Sequence, residues 1–431
     1  MKRFLTLAKD QQSLAHALQE AIDIEMSTIP IYLYTYYSII RTPNQDQIQA
    51  DYTNKYIDEG LPAAIAAKTA LEKSADVMVY ANKAGATIMS VVIEEMLHMA
   101  LASNLHRALI GMPDLVGISP TNWPTNLPGR FPELSISLAP FSAEQLEQFI
   151  QIESPGGVPN SNEIPDHWVS IGQFYQSILD YIEANIKPED YEKYAGQPQL
   201  GPGNGYYTHN NVDTLYYNKY HKPQFTNADD SGDLVIIDSN AAARKAIETI
   251  VHQGEGTIAD DHTTDDKMHD EESHYRKFVD LHAEFPNFAD DVKYFVKPFP
   301  VNPKTAGYPA DIQTVSNLLN AVYTYMYMMM ESCYRNPMPQ QSEIFNFGIH
   351  KGMVFMLSTL CDFITSLSLP DGNYAAPTFE NYEFSPESTA KSQIIALYNA
   401  IPSSLNPPSS LPGRFATLPD MSSIAGEPVS F

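Results

Sequence analysis

Apolar positions recur along the chain at helical spacing, in long stripes separated by polar, turn-rich stretches. Between residues 10 and 41, Leu14, Leu18, Ile22, Glu25, Ile29 and Tyr32 fall at three- and four-residue steps, which is one face of an α-helix. A glutamate on that face is out of place, whereas Glu20 and Asp23 point elsewhere and read as solvated. Pro30 lacks the helical N–H and predicts a kink one turn past Glu25. Residues 42–60 read as a polar connection. A second long helix is predicted over 62–110, with Val91, Val92, Met99 and Ala102 in its stripe. Glu95 lies within that stripe and His98 on its edge. Gly111-Met112-Pro113 ends it.

Residues 113–235 change character, with frequent Pro, Gly, Asn and Asp, and predict loops plus short elements. Two helices stand out there. One covers 142–153, opened by a Ser142 cap with Glu144 and Gln145 in its first turn, and the other covers 169–187. The Tyr/Asn/Pro/Gly-rich stretch 188–232 reads as a lid or a surface wrap. A helix over 239–254 turns Ile247, Ile250 and Val251 inward and stops at Gln253-Gly254-Glu255-Gly256. Another, over 264–284, groups Met268, Glu271, Tyr275, Phe278 and Val279 on one face. Apolar, Met- and Tyr-rich helices follow at 311–335 and 343–369, where the run at 323–330 reads most simply as core. The Pro/Ser-rich tail from 370 reads as an extended wrap or partial disorder. No repeat of 20–50 residues is present. The predicted class is mainly α. A four-helix bundle would occupy 1–290, with 113–235 inserted between its second and third helices. Accessory helices and tail, 291–431, would pack on it.

Composition narrows the partners. Acidic residues outnumber basic ones by 52 to 26, a net charge of −26, so nucleic acid and anionic membrane are not expected as partners. Two cysteines, Cys333 and Cys361, make no disulfide framework. The N-terminal segment turns polar at Lys9-Asp10-Gln11-Gln12, and no continuous apolar run reaches the ~18 residues of a membrane span. The expectation is a soluble, cytoplasmic protein, with homo-oligomerisation left open.

Glu-x-x-His occurs twice, as Glu95-Met96-Leu97-His98 and Glu271-Glu272-Ser273-His274. Chance placement gives about 0.7 such matches, so spacing alone is weak and context must carry the reading. Both pairs lie in long predicted amphipathic helices, and both follow a helix bearing another candidate carboxylate. One Glu from each of two helices plus Glu-x-x-His from each of the other two is the layout of a dinuclear carboxylate site in a four-helix bundle. Four carboxylates neutralise two metal ions, and two imidazoles complete the donor set. The candidate ligands are Glu25, Glu95, His98, Glu271, His274 and one carboxylate from the helix at 239–254. Glu248 and Glu255 both qualify. Glu255 is preferred, because it sits at a depth similar to Glu271 and its flanking glycines allow close approach. Such ligands suit two Fe ions best, then Mn, with Zn less suited. Glu94 and Glu272 read as outer or surface groups. His262 and His269, in an acidic run, read as a solvated loop. Neither match extends to the His-Glu-x-x-His of zinc proteases.

The segments AIDIEMSTIPIYLYTYYSI around Glu25 and VVIEEMLHMALASNLHRALIG around Glu95 and His98 resemble the ferritin-like domain of the iminophenyl-pyruvate dimer synthase family. FSAEQLEQFIQIESP, SIGQFYQSI, IVHQGEGT, DEESHYRKF and AAPTFENY continue the resemblance in order along most of the chain. It implies a ferritin-like bundle with Glu25, Glu95, His98, Glu255, Glu271 and His274 as ligands. It also implies oxidative chemistry on an aromatic amino-acid-derived imine, and the leading expectation for the site is a dinuclear metal oxidoreductase acting with O2 or peroxide on a small organic substrate. The pathway synthases are much longer, and no Cys-x-x-Cys-His haem-attachment motif occurs here. The alternatives are a ferroxidase or iron-handling protein, and a non-catalytic metal-binding scaffold. Tyr32 and Tyr275 are candidate electron relays.

Overall fold

The computed structural model describes residues 11–155, 168–204, 234–255, 273–421 and 428–430. Two long helices form its spine, α1 (Gln11–Ser38) and α3 (Ala63–Leu109). They pack antiparallel: Glu25 faces Glu95 and His98, and just past the end of α1 the Arg41 guanidinium donates to Asn82 Oδ1 at 3.1 Å. α1 runs through Pro30 without interruption. By length and composition α3 could cross a membrane, but 83% of its apolar window is buried inside the protein, as in a core helix.

The polar stretch after α1 is not a loop. It holds α2 (Gln45–Asp58), whose N-terminus is capped by the Asn44 side chain accepting from Gln47 N–H. Only Ile48 and Tyr52 are buried, one turn apart, which is too thin a stripe to announce a helix in sequence. The Tyr52 hydroxyl donates to the buried Asp291, and Lys73 on α3 pairs with the same carboxylate at 2.7 Å.

Four shorter helices complete the bundle: α4 (Ala143–Glu153), α5 (Ile171–Asn185), α6 (Asn240–Gly254) and α7 (His274–Glu284). Each begins with a serine (142, 170, 239 and 273) whose side chain accepts a backbone N–H from the first turn. α4 and α7 pair antiparallel, with Phe149 and Phe278 rings 5.0 Å apart and Tyr32 of α1 against both. α5 and α6 pair antiparallel from the Gly172–Glu255 contact to the Glu183–Arg244 ion pair. The insertion thus contributes α4 and α5 to the bundle wall. α4 and α6 end, and α5 and α7 begin, at one level along the spine. α7 also starts later than expected. His274 is its first residue and Ser273 its cap, so the one-face argument for Glu271 and His274 on a single continuous helix does not hold, and Glu271 lies outside the described residues.

The C-terminal third covers one side. α8 (Ala310–Cys333) is buried along most of its length, including the Met/Tyr run. α9 (Gln340–Phe345), a π-helical stretch (Asn346–Leu357) and α10 (Ser358–Ile364) stand where one helix was expected. The tail is built in rather than loose. Ala375, Ala376, Thr378 and Phe379 are fully buried, Asn320 of α8 donates to Thr378, and α11 (Ala390–Asn399) and α12 (Leu411–Ala416) follow. Residues 188–204 wrap α3, where the Asn104 amide donates to the Leu200 carbonyl at 2.6 Å. Strands among the described residues form two small antiparallel pairs, Thr125–Asn126 with Ser135–Ile136 and Asp420–Met421 with Pro428–Ser430, beside three isolated bridges.

Phe278 joins α7 to α1 and α4 with no solvent contact. Phe278→Ala is expected to cost about 3–5 kcal/mol of unfolding free energy. Glu248→Ala, on an exposed face, should stay within about 0.5 kcal/mol. Denaturant melts of the two variants check this.

Candidate metal centre

Buried glutamates meet two imidazoles at the level where the four short helices stop and start. Glu25 comes from α1, Glu95 and His98 from α3, Glu153 from the last position of α4 and His274 from the first position of α7, all 3% exposed or less. Glu95, His98 and His274 each bring one donor atom within 4.8 Å of the others. The two imidazoles are arranged alike. His98 turns Nδ1 toward Glu25 Oε2 and Glu95 Oε1, both at 3.7 Å, and Nε2 toward Gln253 Oε1 at 2.9 Å. His274 turns Nδ1 toward Glu95 Oε1 at 3.0 Å and Glu153 Oε2 at 3.7 Å, and Nε2 toward Glu94 Oε2 at 2.7 Å. The rings face each other at 5.3 Å between centroids, their planes 28° apart.

Hydroxyls orient the carboxylates. Tyr175 of α5 donates to Glu25 Oε1 at 2.6 Å, Tyr32 donates to Glu153 Oε1, and Thr28 donates to Glu95 Oε2. Glu255 is buried as well, but its oxygens accept from Gly172 N–H at 2.6 Å and Ser170 Oγ at 3.1 Å, so it rests on the N-terminus of α5. A Cβ at residue 172 would run into that carboxylate, which is why glycine stands there. Glu248, the alternative considered above, is half exposed and pairs with Arg244. Tyr275 is only partly buried, whereas Tyr32 touches the cluster. Glu94, one position before Glu95, backs His274. Glu271, Glu272, His262 and His269 lie outside the described residues.

Sequence reasoning missed Glu153, Gln253 and Tyr175. Glu153 carried a readable signal: with Leu146 and Phe149 it falls at the i, i+3, i+7 positions of a capped apolar stripe, the same anomaly as Glu25. Gln253 and Tyr175 carried none, because a polar residue at a helix end and a tyrosine among 26 are both ordinary.

The electrostatics follow from burial. Desolvation raises Glu25, Glu95 and Glu255 to about 7, against the opposing hydrogen bonds from Tyr175 to Glu25 and from Gly172 and Ser170 to Glu255. Burial lowers His98. Burial would lower His274 too, but its contacts with Glu153, Glu94 and Glu95 outweigh that and hold it well above the usual range. His274 Nδ1 is buried and finds no hydrogen-bond partner of good geometry among the described residues, although carboxylate oxygens face it. An imidazole nitrogen aimed into a carboxylate cluster, with its other nitrogen held by an outer acceptor, fits a metal ligand.

The sequence profile of the ferritin-like family matches residues 18–283, more than half of the chain and nearly all of the bundle. The chain belongs to the ferritin-like family. A solved ferritin-like protein from Caulobacter vibrioides is similar over 77% of this chain and 92% of that one, at 19% identity and a TM-score of 0.43. No curated protein matches the chain. The ferritin-like bundle expected from the sequence is therefore the family of this chain, a family in which such Glu/His clusters hold metal ions.

A carboxyl raised in the folded state stabilises the fold fully below its unfolded value, near 4.5, and that contribution is lost as pH rises toward about 7. The raised His274 acts in the same direction and the lowered His98 against it. The metal-free protein is therefore expected to melt at higher temperature at pH 5 than at pH 8. Glu95→Gln should flatten that difference. Thermal melts across the range test both, and a melting temperature that climbs steadily with pH would contradict the burial of these carboxyls.

Proposed function

We propose that this ferritin-like protein is a dinuclear metal–carboxylate oxidoreductase that acts with O2 or peroxide on a small organic substrate. The observation that carries the reading is the paired presentation of His98 and His274. Both turn Nδ1 into one buried glutamate cluster and Nε2 onto an outer acceptor. Glu25, Glu95, His98, Glu153 and His274 would hold the ions, with Glu255 and Glu271 as further carboxylates of the set first inferred from sequence. Oxygen and nitrogen donors of this kind suit iron, and manganese after it. Such ions supply one-electron redox chemistry and a binding position for O2 or peroxide.

The chain's own groups account for the rest. Carboxylates this deeply buried are costly without cations, so the cluster is preorganised to take positive charge. Tyr32, Tyr175 and Thr28 hold protons on the outer oxygens of Glu153, Glu25 and Glu95, which orients the inner oxygens toward the centre. α8 and the wrapped tail extend the apolar packing around the bundle, and a water-poor surround protects reactive species. The resemblance to the iminophenyl-pyruvate dimer synthases supports an aromatic amino-acid-derived imine as the substrate class. The two domains proposed from sequence, 1–290 and 291–431, would then divide the work between metal centre and cover.

Protein purified without added metal is expected to hold about two Fe or Mn per chain by elemental analysis. Glu95→Ala, Glu153→Ala and His274→Ala should each lose most of it, and Glu248→Ala none. Loaded protein should consume O2 only with an aromatic imine or amino acid present. Iron uptake continuing far past two per chain without organic substrate would favour iron handling. A single zinc indifferent to all four changes would overturn the oxidoreductase reading.

A further inference from the structure

Behind His274 lies a buried ion pair that ligation itself does not require. Lys277 sits three residues after His274 on α7, so the two side chains share a face. Its ammonium reaches both oxygens of Glu94, at 2.8 and 3.0 Å, and both residues are only 6% exposed. Glu94 Oε2 in turn meets His274 Nε2 at 2.7 Å. The contacts therefore run from Lys277 through Glu94 to His274, and from His274 Nδ1 on to Glu95 and Glu153. The other imidazole is backed differently, since His98 Nε2 meets the neutral amide of Gln253.

This difference has an electrostatic consequence. A carboxylate behind a histidine fixes its tautomer and orientation. It also places a full negative charge close to the cluster, where the low dielectric magnifies it. The Lys277 ammonium cancels that charge at hydrogen-bond distance.

We propose that Lys277 is a positioning and charge-balancing residue: it neutralises Glu94, so that Glu94 orients His274 without adding net negative charge, and the pair thereby sets the redox potential of the metal on the His274 side. This rests on the dinuclear reading above. The two imidazoles would then differ in what they offer a bound metal, His274 being backed by a neutralised ion pair and His98 by an amide. Altering one partner must move the potential in a direction fixed by the charge left behind. An uncompensated Glu94 stabilises the oxidised ion, and an uncompensated Lys277 stabilises the reduced one.

The test loads the full chain anaerobically with ferrous iron. It reads iron per chain and midpoint potential for the wild type, Glu94→Gln, Lys277→Met and the double variant. The potential is expected to rise in Glu94→Gln, fall in Lys277→Met and return close to wild type in the double variant, with iron content retained. A purely structural role would not reverse sign between the two single variants. If Lys277→Met does not fold, the comparison of Glu94→Gln with the double variant decides, because the rise must be cancelled when Lys277→Met is added. With wild-type iron content, unchanged potentials, shifts of the same sign, or a rise that persists in the double variant would overturn the proposal. A wild-type chain that takes up no iron would overturn the dinuclear reading and this inference with it.

Discussion

The architecture turns on one constraint: Glu25, Glu95, Glu153 and Glu255 are buried close together, and their mutual repulsion must be managed. The solution is local and directional. Every one of these glutamates accepts from a hydroxyl or backbone N–H: Tyr175, Thr28, Tyr32, and Ser170 with Gly172. His274 enters between Glu94, Glu95 and Glu153, and Lys277 offsets Glu94. Each of these donors stands on a bundle helix, so the packing of α1, α3, α4, α5 and α7 and the orientation of the cluster are one problem.

That constraint also explains why two of the bundle's four helical walls are in pieces. An uninterrupted helix presents side chains to a centre at intervals of three or four residues. A helix end presents backbone groups and a side chain from one place. α5 offers Gly172 N–H and the Ser170 hydroxyl to Glu255 from its N-terminus, and α4 delivers Glu153 from its last residue. α7 delivers His274 from its first position, with Ser273 capping the turn so that no side chain precedes the imidazole on the helix. Helix N-termini at this level also place partial positive charge where carboxylates gather.

How much of this was legible in the sequence depends on whether the signal was periodic. α1 and α3, with Glu25, Glu95 and His98 on apolar stripes, are long enough that the helical period and its charged exceptions stand out. The same logic would have found Glu153, whose stripe is short but carries a serine cap. α2 escaped notice because only Ile48 and Tyr52 are buried, and the helix is held by tertiary contacts such as Tyr52 with Asp291 rather than by its own pattern. The tail was legible only in part, since an extended wrap and partial disorder were both open. Its Pro and Ser content suggests looseness, yet Ala375, Ala376, Thr378 and Phe379 are buried through contacts with α8 that no local pattern encodes.

The outer partners mark the boundary of what spacing can reveal. Glu94 neighbours Glu95 in sequence, and one residue's step on a helix turns it about 100° away, so it reads as an outer group. It backs His274, which arrives from α7, 180 residues along the chain. Gln253 backs His98 from the end of α6. Periodicity identifies side chains that point inward on their own helix. It cannot say which neighbouring element supplies the partner, and the charge of that partner is what separates the two imidazoles. The ligand types are thus written in the stripes of α1 and α3. The asymmetry between His98 with its amide and His274 with its ion pair exists only once α6 and α7 dock against α3.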